Sequence, residues 1–156
     1  MAAESKTSFA KAEILIRKPV AEVFNAFINP VITTQFWFTK STEVLETGKQ
    51  VEWTWEMYNH TVRVQVLEIQ PNQRIFIEWD NAGDKSTVEW TFKALTKTTT
   101  FVSIINDGLT GDQEEIVSLV RGSTEGFTIT LAGLKALLEY NIKLNLVADR
   151  FPGGLK

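Results

Sequence analysis

Residue types able to make or break bonds are few in this chain and poorly spaced for it. There is no cysteine, which removes thiol nucleophiles, disulfides, iron–sulfur clusters and zinc sites built on thiolate. A single histidine, His60, leaves no two-histidine metal site and only one imidazole base. No neighbouring carboxylate is placed to orient it, so His60 reads as a solvated residue of a Tyr58-Asn59-His60 turn. Tyr58 reads the same way, its hydroxyl on a surface hairpin. Glu52 and Glu56 share one face of a strand, but with Thr54 they point away from the apolar side, so a paired-carboxylate site is not expected. Arg63 and Glu89 read as a solvated sheet face paired across strands. Asn106-Asp107, beside Gly108, reads as a turn or, more sharply, as the rim of a pocket. Ser123, Thr124, Thr128 and Thr130 carry hydroxyls, although helical threonines commonly bond back to their own backbone. No GxSxG, Walker loop, GxGxxG or HExxH occurs. No catalytic residue, metal or cofactor is expected.

What the chain has in surplus is aromatic surface, with five tryptophans and ten phenylalanines. Val51, Trp53, Trp55 and Met57 alternate with polar residues, as do Ile75, Ile77 and Trp79, and again Val88, Trp90 and Phe92. Trp53, Trp55, Met57, Trp79 and Trp90 are therefore expected on one face of a sheet, opposite Phe127 and Leu131 of a terminal helix. These seven are the candidate ligand-binding residues. Large aromatics dominate cores, so any one of them taken singly reads as core. Taken as a group, lining a void and filling it stand equal.

The elements that position these residues follow from period and punctuation. Phe9 to Arg17 alternates as a strand, and Lys18-Pro19 breaks it. Val20 to Ile28 has helical spacing, Asn29-Pro30 stops it, and a second short helix is expected from Val31 to about Phe36. Strands then follow one another through turns at Pro71-Asn72-Gln73 and at Asn81 to Asp84, with a bulge expected near Leu67–Glu68. The last strand, Thr100 to Asn106, has less distinct faces. Asp112 is the expected N-cap of a short helix interrupted at Arg121-Gly122. Ser123 then caps a longer helix to about Ala148, with Phe127, Leu131, Leu134, Leu138 and Asn141 along one stripe. Gly126 and Gly133 each cost about 1 kcal/mol of helix stability relative to alanine. Their compensation is close approach to another element, or room for a bound molecule. The expected result is an α+β layer with room for a hollow between sheet and helix.

Composition bounds the rest. Length and an apolar content of 44% suit a single domain, 1–156, with a real core. Net charge is −3, which gives no sign of a nucleic-acid binder. Met1 to Phe9 lack the long apolar core of a signal peptide, and no stretch has the continuous apolar length of a membrane helix. No membrane insertion is expected, and the protein is expected in the cytoplasm. The tail, FPGGLK, is expected to end any preceding helix.

Five segments, in order, carry a family resemblance: AEILIRKPVAEVFNAFINP, TQFWF, VRVQVLEIQPNQRIFIEW, STVEWTFKAL and STEGFTITLAGLKALLEY. The chain resembles the activator of heat-shock-protein-90 ATPase homologue family, in the START-like, birch-pollen-allergen-like (SRPBCC) superfamily. Phe36-Trp37 stands where that family usually shows a tryptophan pair, and Gly126-Phe127 stands for its glycine–tryptophan. The resemblance implies the helix-grip fold: a curved antiparallel sheet of about six or seven strands wrapped around a long C-terminal helix, with two short helices after the first strand. It also implies a deep cavity of the kind that holds lipids, sterols, polyketides or plant aromatic compounds. Eukaryotic members contact the chaperone within a larger chain whose additional domain has no counterpart in these residues. The expected function is binding of a small apolar, aromatic or lipid-like molecule. The alternatives are a cyclase- or hydratase-like enzyme on a polyketide-like substrate, and a chaperone-associated interaction domain.

Overall fold

The computed structural model describes residues 8–81 and 83–154. Most of the amino-terminal segment, Ala82 of one hairpin turn, and the last two residues of the tail lie outside the described residues. Seven strands form one antiparallel sheet: β1 (Ala10–Ile16), β2 (Lys40–Ser41), β3 (Gln50–Trp55), β4 (His60–Gln70), β5 (Arg74–Asn81), β6 (Asp84–Thr96) and β7 (Thr99–Asp107). Their order is β1-β7-β6-β5-β4-β3-β2, so every neighbour but the β1–β7 pair is also a neighbour in sequence. The sheet is curved and unclosed. Two short helices, α1 (Val20–Ile28) and α2 (Pro30–Thr33), follow β1, while α3 (Gln113–Tyr140) and α4 (Leu146–Arg150) follow β7. This is the helix-grip arrangement, and no helix among the described residues is long and apolar enough to cross a membrane.

Alternation decides which side chains face inward, because successive strand residues point to opposite faces. Val51, Trp53 and Trp55 of β3, Val62, Val64 and Val66 of β4, and Val88, Trp90 and Phe92 of β6 are all buried. The register of β4 on β5 shifts between Val66 and Glu68, where the out-of-phase Leu67 predicts a bulge. The last strand is clearer than its sequence: Thr100, Val102, Ile104 and Asn106 are all buried, but polar residues at both ends blur the pattern. The outer face is wet and charged. Arg74 pairs with Glu68 and Glu89, and Glu52 lies opposite Arg63 in the register.

Four boundaries differ from expectation. The second helix stops at Thr33, not near Phe36. Ending it there allows Phe36, Trp37 and Phe38 all to be buried, which three consecutive residues on one helix face could not manage. A two-residue strand, β2, lies where no alternation is long enough to announce it. The terminal helix is continuous through Arg121-Gly122; a capping box between Asp112 and Glu115 starts it, and the cooperativity of a 28-residue helix absorbs one glycine. It ends at Tyr140, well before Ala148, because Asn141 turns left-handed (φ 55°) and its N–H returns to Leu137 O at 2.9 Å. Asn141 thus leaves the expected stripe. The chain then turns back, and Arg150 of α4 makes a two-pronged ion pair with Glu125 of α3.

A partly buried clamp fixes the C-terminal half of α3 to β1 and the residue after it. The Arg17 N–H and the Lys135 ammonium both donate to Glu139 Oε2 at 2.7 Å, and Lys135 also donates to Leu15 O at 2.8 Å. The Glu139 side chain is only 5% exposed. Burial alone would raise its carboxyl, but Lys135 and the Arg17 N–H outweigh that and hold it below its ordinary value of 4.5. Folding thus favours the charged form, and this contribution is complete above the ordinary value and lost as pH falls through the lowered one. Glu139→Gln is expected to cost about 1–3 kcal/mol near neutral pH. Urea unfolding across pH should show the gap to the parent closing as acid protonates Glu139; a gap independent of pH would dismiss the ion pair as its cause.

Candidate functional site

The helix α3 is packed along only part of its length. Its buried residues are Phe127, Thr130, Leu131, Gly133, Leu134 and Leu137, and none lies upstream of Phe127. Gly133 makes the close approach: a Cβ there would sit 3.5 Å from Phe36 Cβ and from Phe36 O. Gly122 and Gly126, one helical turn apart, do the opposite, since a Cβ on either would meet nothing within 4 Å. Both line a pocket of about 800 Å³ between the upper half of α3 and one end of the sheet.

Antiparallel pairing brings the ends of β3, β5 and β7 and the starts of β4 and β6 to that pocket. Trp55, Trp79, Asn106, His60, Val62 and Ser86 arrive in this way, with Trp37 and Phe127 completing the aromatic wall. Trp79 stacks on Phe127 with ring centres 5.8 Å apart and planes at 22°. Trp37 is the hub of the cluster, its ring centre between 5.0 and 6.4 Å from those of Trp53, Trp55, Trp79, Trp90 and Phe127.

The seven candidate residues therefore divide. Trp55, Trp79 and Phe127 line the pocket. Trp53, Trp90 and Leu131 belong to the packed core and do not reach its wall. Trp53 is stacked on Phe38 at 4.7 Å, while Trp90 is crowded by Phe27, Trp37 and Phe127. Met57 leaves the inner face altogether. The strand ends at Trp55, a 3-10 turn spans Glu56–Tyr58, and Met57 is 38% exposed beside a smaller pocket of about 150 Å³.

Polar groups are concentrated at one corner. Asn106 is only 3% exposed. Its amide nitrogen donates to Thr87 O at 2.8 Å and to Ser86 Oγ at 3.0 Å, and its amide oxygen accepts from Ser123 Oγ at 2.8 Å. The Trp79 indole N–H donates to the same Ser86 Oγ at 2.9 Å. Ser123 is thus an interior helix residue that reaches the sheet rather than a cap. Thr128 and Thr130 do bond back, to Thr124 O and Gly126 O.

His60 opens β4 and lies on the pocket wall, half-buried, its ring 6.1 Å from Trp55. Among the described residues no ion pair involves it. Tyr58 is tied down rather than free, its hydroxyl donating to Val147 O of α4. Two carboxylates that the sequence pattern does not single out also stand at the pocket: Asp84, first residue of β6 and in phase with Ser86 and Val88, and Glu115 of α3. Both are exposed, and Glu115 is already engaged with Asp112 N. No group of three or more potential metal ligands occurs among the described residues. The arrangement can enclose a flat apolar molecule and offer it a polar edge.

Residues 17–139 match the model of the family described as Activator of Hsp90 ATPase homolog 1-like protein. No curated protein matches the chain. Among solved structures, protein SSP2350 from Staphylococcus saprophyticus is similar at 24% identity and a TM-score of 0.74, over 87% of this chain and 95% of that one. An HSP90 activator from Plasmodium falciparum, PFC0360w, is similar at 17% identity and a TM-score of 0.66, over 85% of this chain and 96% of that one. DynU16, a putative protein in the dynemicin biosynthetic locus, is similar at 18% identity and a TM-score of 0.72, over 87% of this chain; the match spans about half of its own length, 49%. At these identities the likeness shows a shared fold.

Proposed function

The chain belongs to the family of Activator of Hsp90 ATPase homolog 1-like proteins, and we propose that it acts as a binding protein that encloses a small apolar, aromatic or lipid-like molecule between sheet and α3. The observation that carries this reading is Gly126, a half-buried helical glycine on the pocket wall. Each glycine costs about 1 kcal/mol in a helix. Gly133 recovers such a cost by close packing, whereas Gly126 faces open space although half-buried; Gly122, a turn earlier, is exposed at the pocket's edge. Space retained at the expense of helix stability is what a ligand site requires. The volume also falls in the range of roughly 300–1,000 Å³ usual for small-molecule pockets.

The wall supports binding over catalysis. It is aromatic at its base, its carboxylates are exposed at the mouth, and its one imidazole lacks an orienting partner among the described residues. A cyclase or hydratase would have to use His60 alone. A chaperone contact draws on family membership and on the activator from Plasmodium falciparum. A single domain and a cytoplasmic setting complete the proposal.

Titration with a naphthalene-type aromatic ketone, followed through the tryptophan indole signals, tests the reading. Saturable change is expected; no change up to the solubility limit of the probe would refute it.

A further inference from the structure

We infer that the pocket recognises an oxygen acceptor on its ligand through the Ser86 hydroxyl, so that its ligand class is an oxygenated aromatic, a ketone or quinone, rather than a bare hydrocarbon. This rests on the proposal that the pocket is occupied and narrows it.

The argument is one of counting donors and acceptors at the Asn106 corner. Thr87 O can only accept, which fixes the Asn106 amide nitrogen towards it. The second amide N–H then points at Ser86 Oγ, and the Trp79 indole, a donor only, points at the same atom. A serine oxygen has two lone pairs, and both are now filled. The Ser86 proton is left over, and no described residue accepts it. Across the same amide, Ser123 must donate to Asn106 Oδ1, which leaves its own lone pairs over. Ser86 and Ser123 both stand on the pocket wall. The corner therefore presents a committed donor and a committed acceptor, held by a buried amide that has no freedom to reverse them.

The Trp79–Phe127 stack beside this corner offers aromatic faces. A ring system resting there can accept the Ser86 proton at a carbonyl and donate a neighbouring hydroxyl to Ser123. A hydrocarbon of the same shape would displace water from both serines and leave them unpaired.

The test compares acetonaphthone with ethylnaphthalene, two probes of similar shape that differ at the carbonyl, by isothermal titration. The parent protein is expected to prefer the ketone by about tenfold or more, and Ser86→Ala to reduce that preference to about twofold or less. The bound carbonyl stretch is expected to move to lower infrared frequency in the parent and to return in the variant. Equal affinities in the parent, or an unshifted stretch, would overturn the inference while leaving an occupied pocket. Failure of both probes to bind would overturn the occupied pocket as well. Ser86→Ala strands the Trp79 and Asn106 donors, so a melting curve accompanies it. If the variant does not fold, the parent's preference and its infrared shift decide the matter alone.

Discussion

Gly126→Leu is expected to remain folded, to melt no lower than the parent, and to bind an apolar aromatic probe at least about a hundredfold more weakly. The two halves of this result have separate causes. Gly126 lies in regular helix, and a Cβ there meets nothing within 4 Å, so a side chain can leave the backbone at this position without a clash. Leucine is a better helix former than glycine by up to about 1 kcal/mol. In a chain of this size, 1 kcal/mol raises the melting temperature by roughly 2–4 °C. The same side chain occupies the space above Trp79 and Phe127 that the ligand would fill. Thermal melting and probe titration on one sample check both halves. A fall in stability would mean the space is not open, and unchanged affinity would mean the ligand does not use it.

Trp53→Ala is expected to act in the opposite way, lowering stability by about 3–5 kcal/mol, as large-to-small core changes do. Against a total of roughly 5–15 kcal/mol for a typical domain, that threatens the fold itself. Trp53 is only 2% exposed, with Phe38 stacked at 4.7 Å and Trp37 at 5.0 Å. Trp79, half-buried on the pocket wall, has one face against Phe127 and its N–H on Ser86. Trp79→Ala is expected to destabilise less and to weaken binding more. Urea unfolding of the two variants distinguishes them; equal losses would place both rings in the same packed core.

Much of the architecture is legible in the sequence because the backbone enforces it. Alternation from Val51 to Trp55 and from Val88 to Phe92 can only mean two faces, and Leu67 out of phase can only mean a bulge. The division of the aromatic face into wall and core is not legible, because it depends on where α3 stands away from the sheet. Trp53 and Trp55 are two residues apart on one strand face, yet only Trp55 reaches the pocket. Gly126 and Gly133 are the same residue in the same helix, and only the neighbours of each decide that one leaves room and the other touches Phe36.

Three residues depart from the sequence pattern for more local reasons. Trp37 carries no periodic signal, since it lies in turns between α2 and β2, although the run Phe36-Trp37-Phe38 after a helix stop does mark a segment that must be buried. Met57 continues the alternation in letters, but the 3-10 turn takes it off the sheet. His60 belongs to β4 rather than to the turn, because Asn59 adopts the left-handed conformation (φ 50°) that closes the reversal one residue earlier. Asn106 was readable as a pocket rim, but its bonds to Ser86 and Ser123 join residues 20 and 17 positions away.

The five tryptophans supply the most direct test of the central claim, because each indole N–H gives its own nitrogen–proton NMR signal. On titration with a naphthalene-type probe, the signals of Trp37, Trp55 and Trp79, which line the pocket, are expected to move and saturate together. Those of Trp53 and Trp90, held in the packed core, are expected to move far less. Shifts confined to Trp53 and Trp90, or no saturable shift in any of the five, would contradict a ligand pocket between sheet and helix.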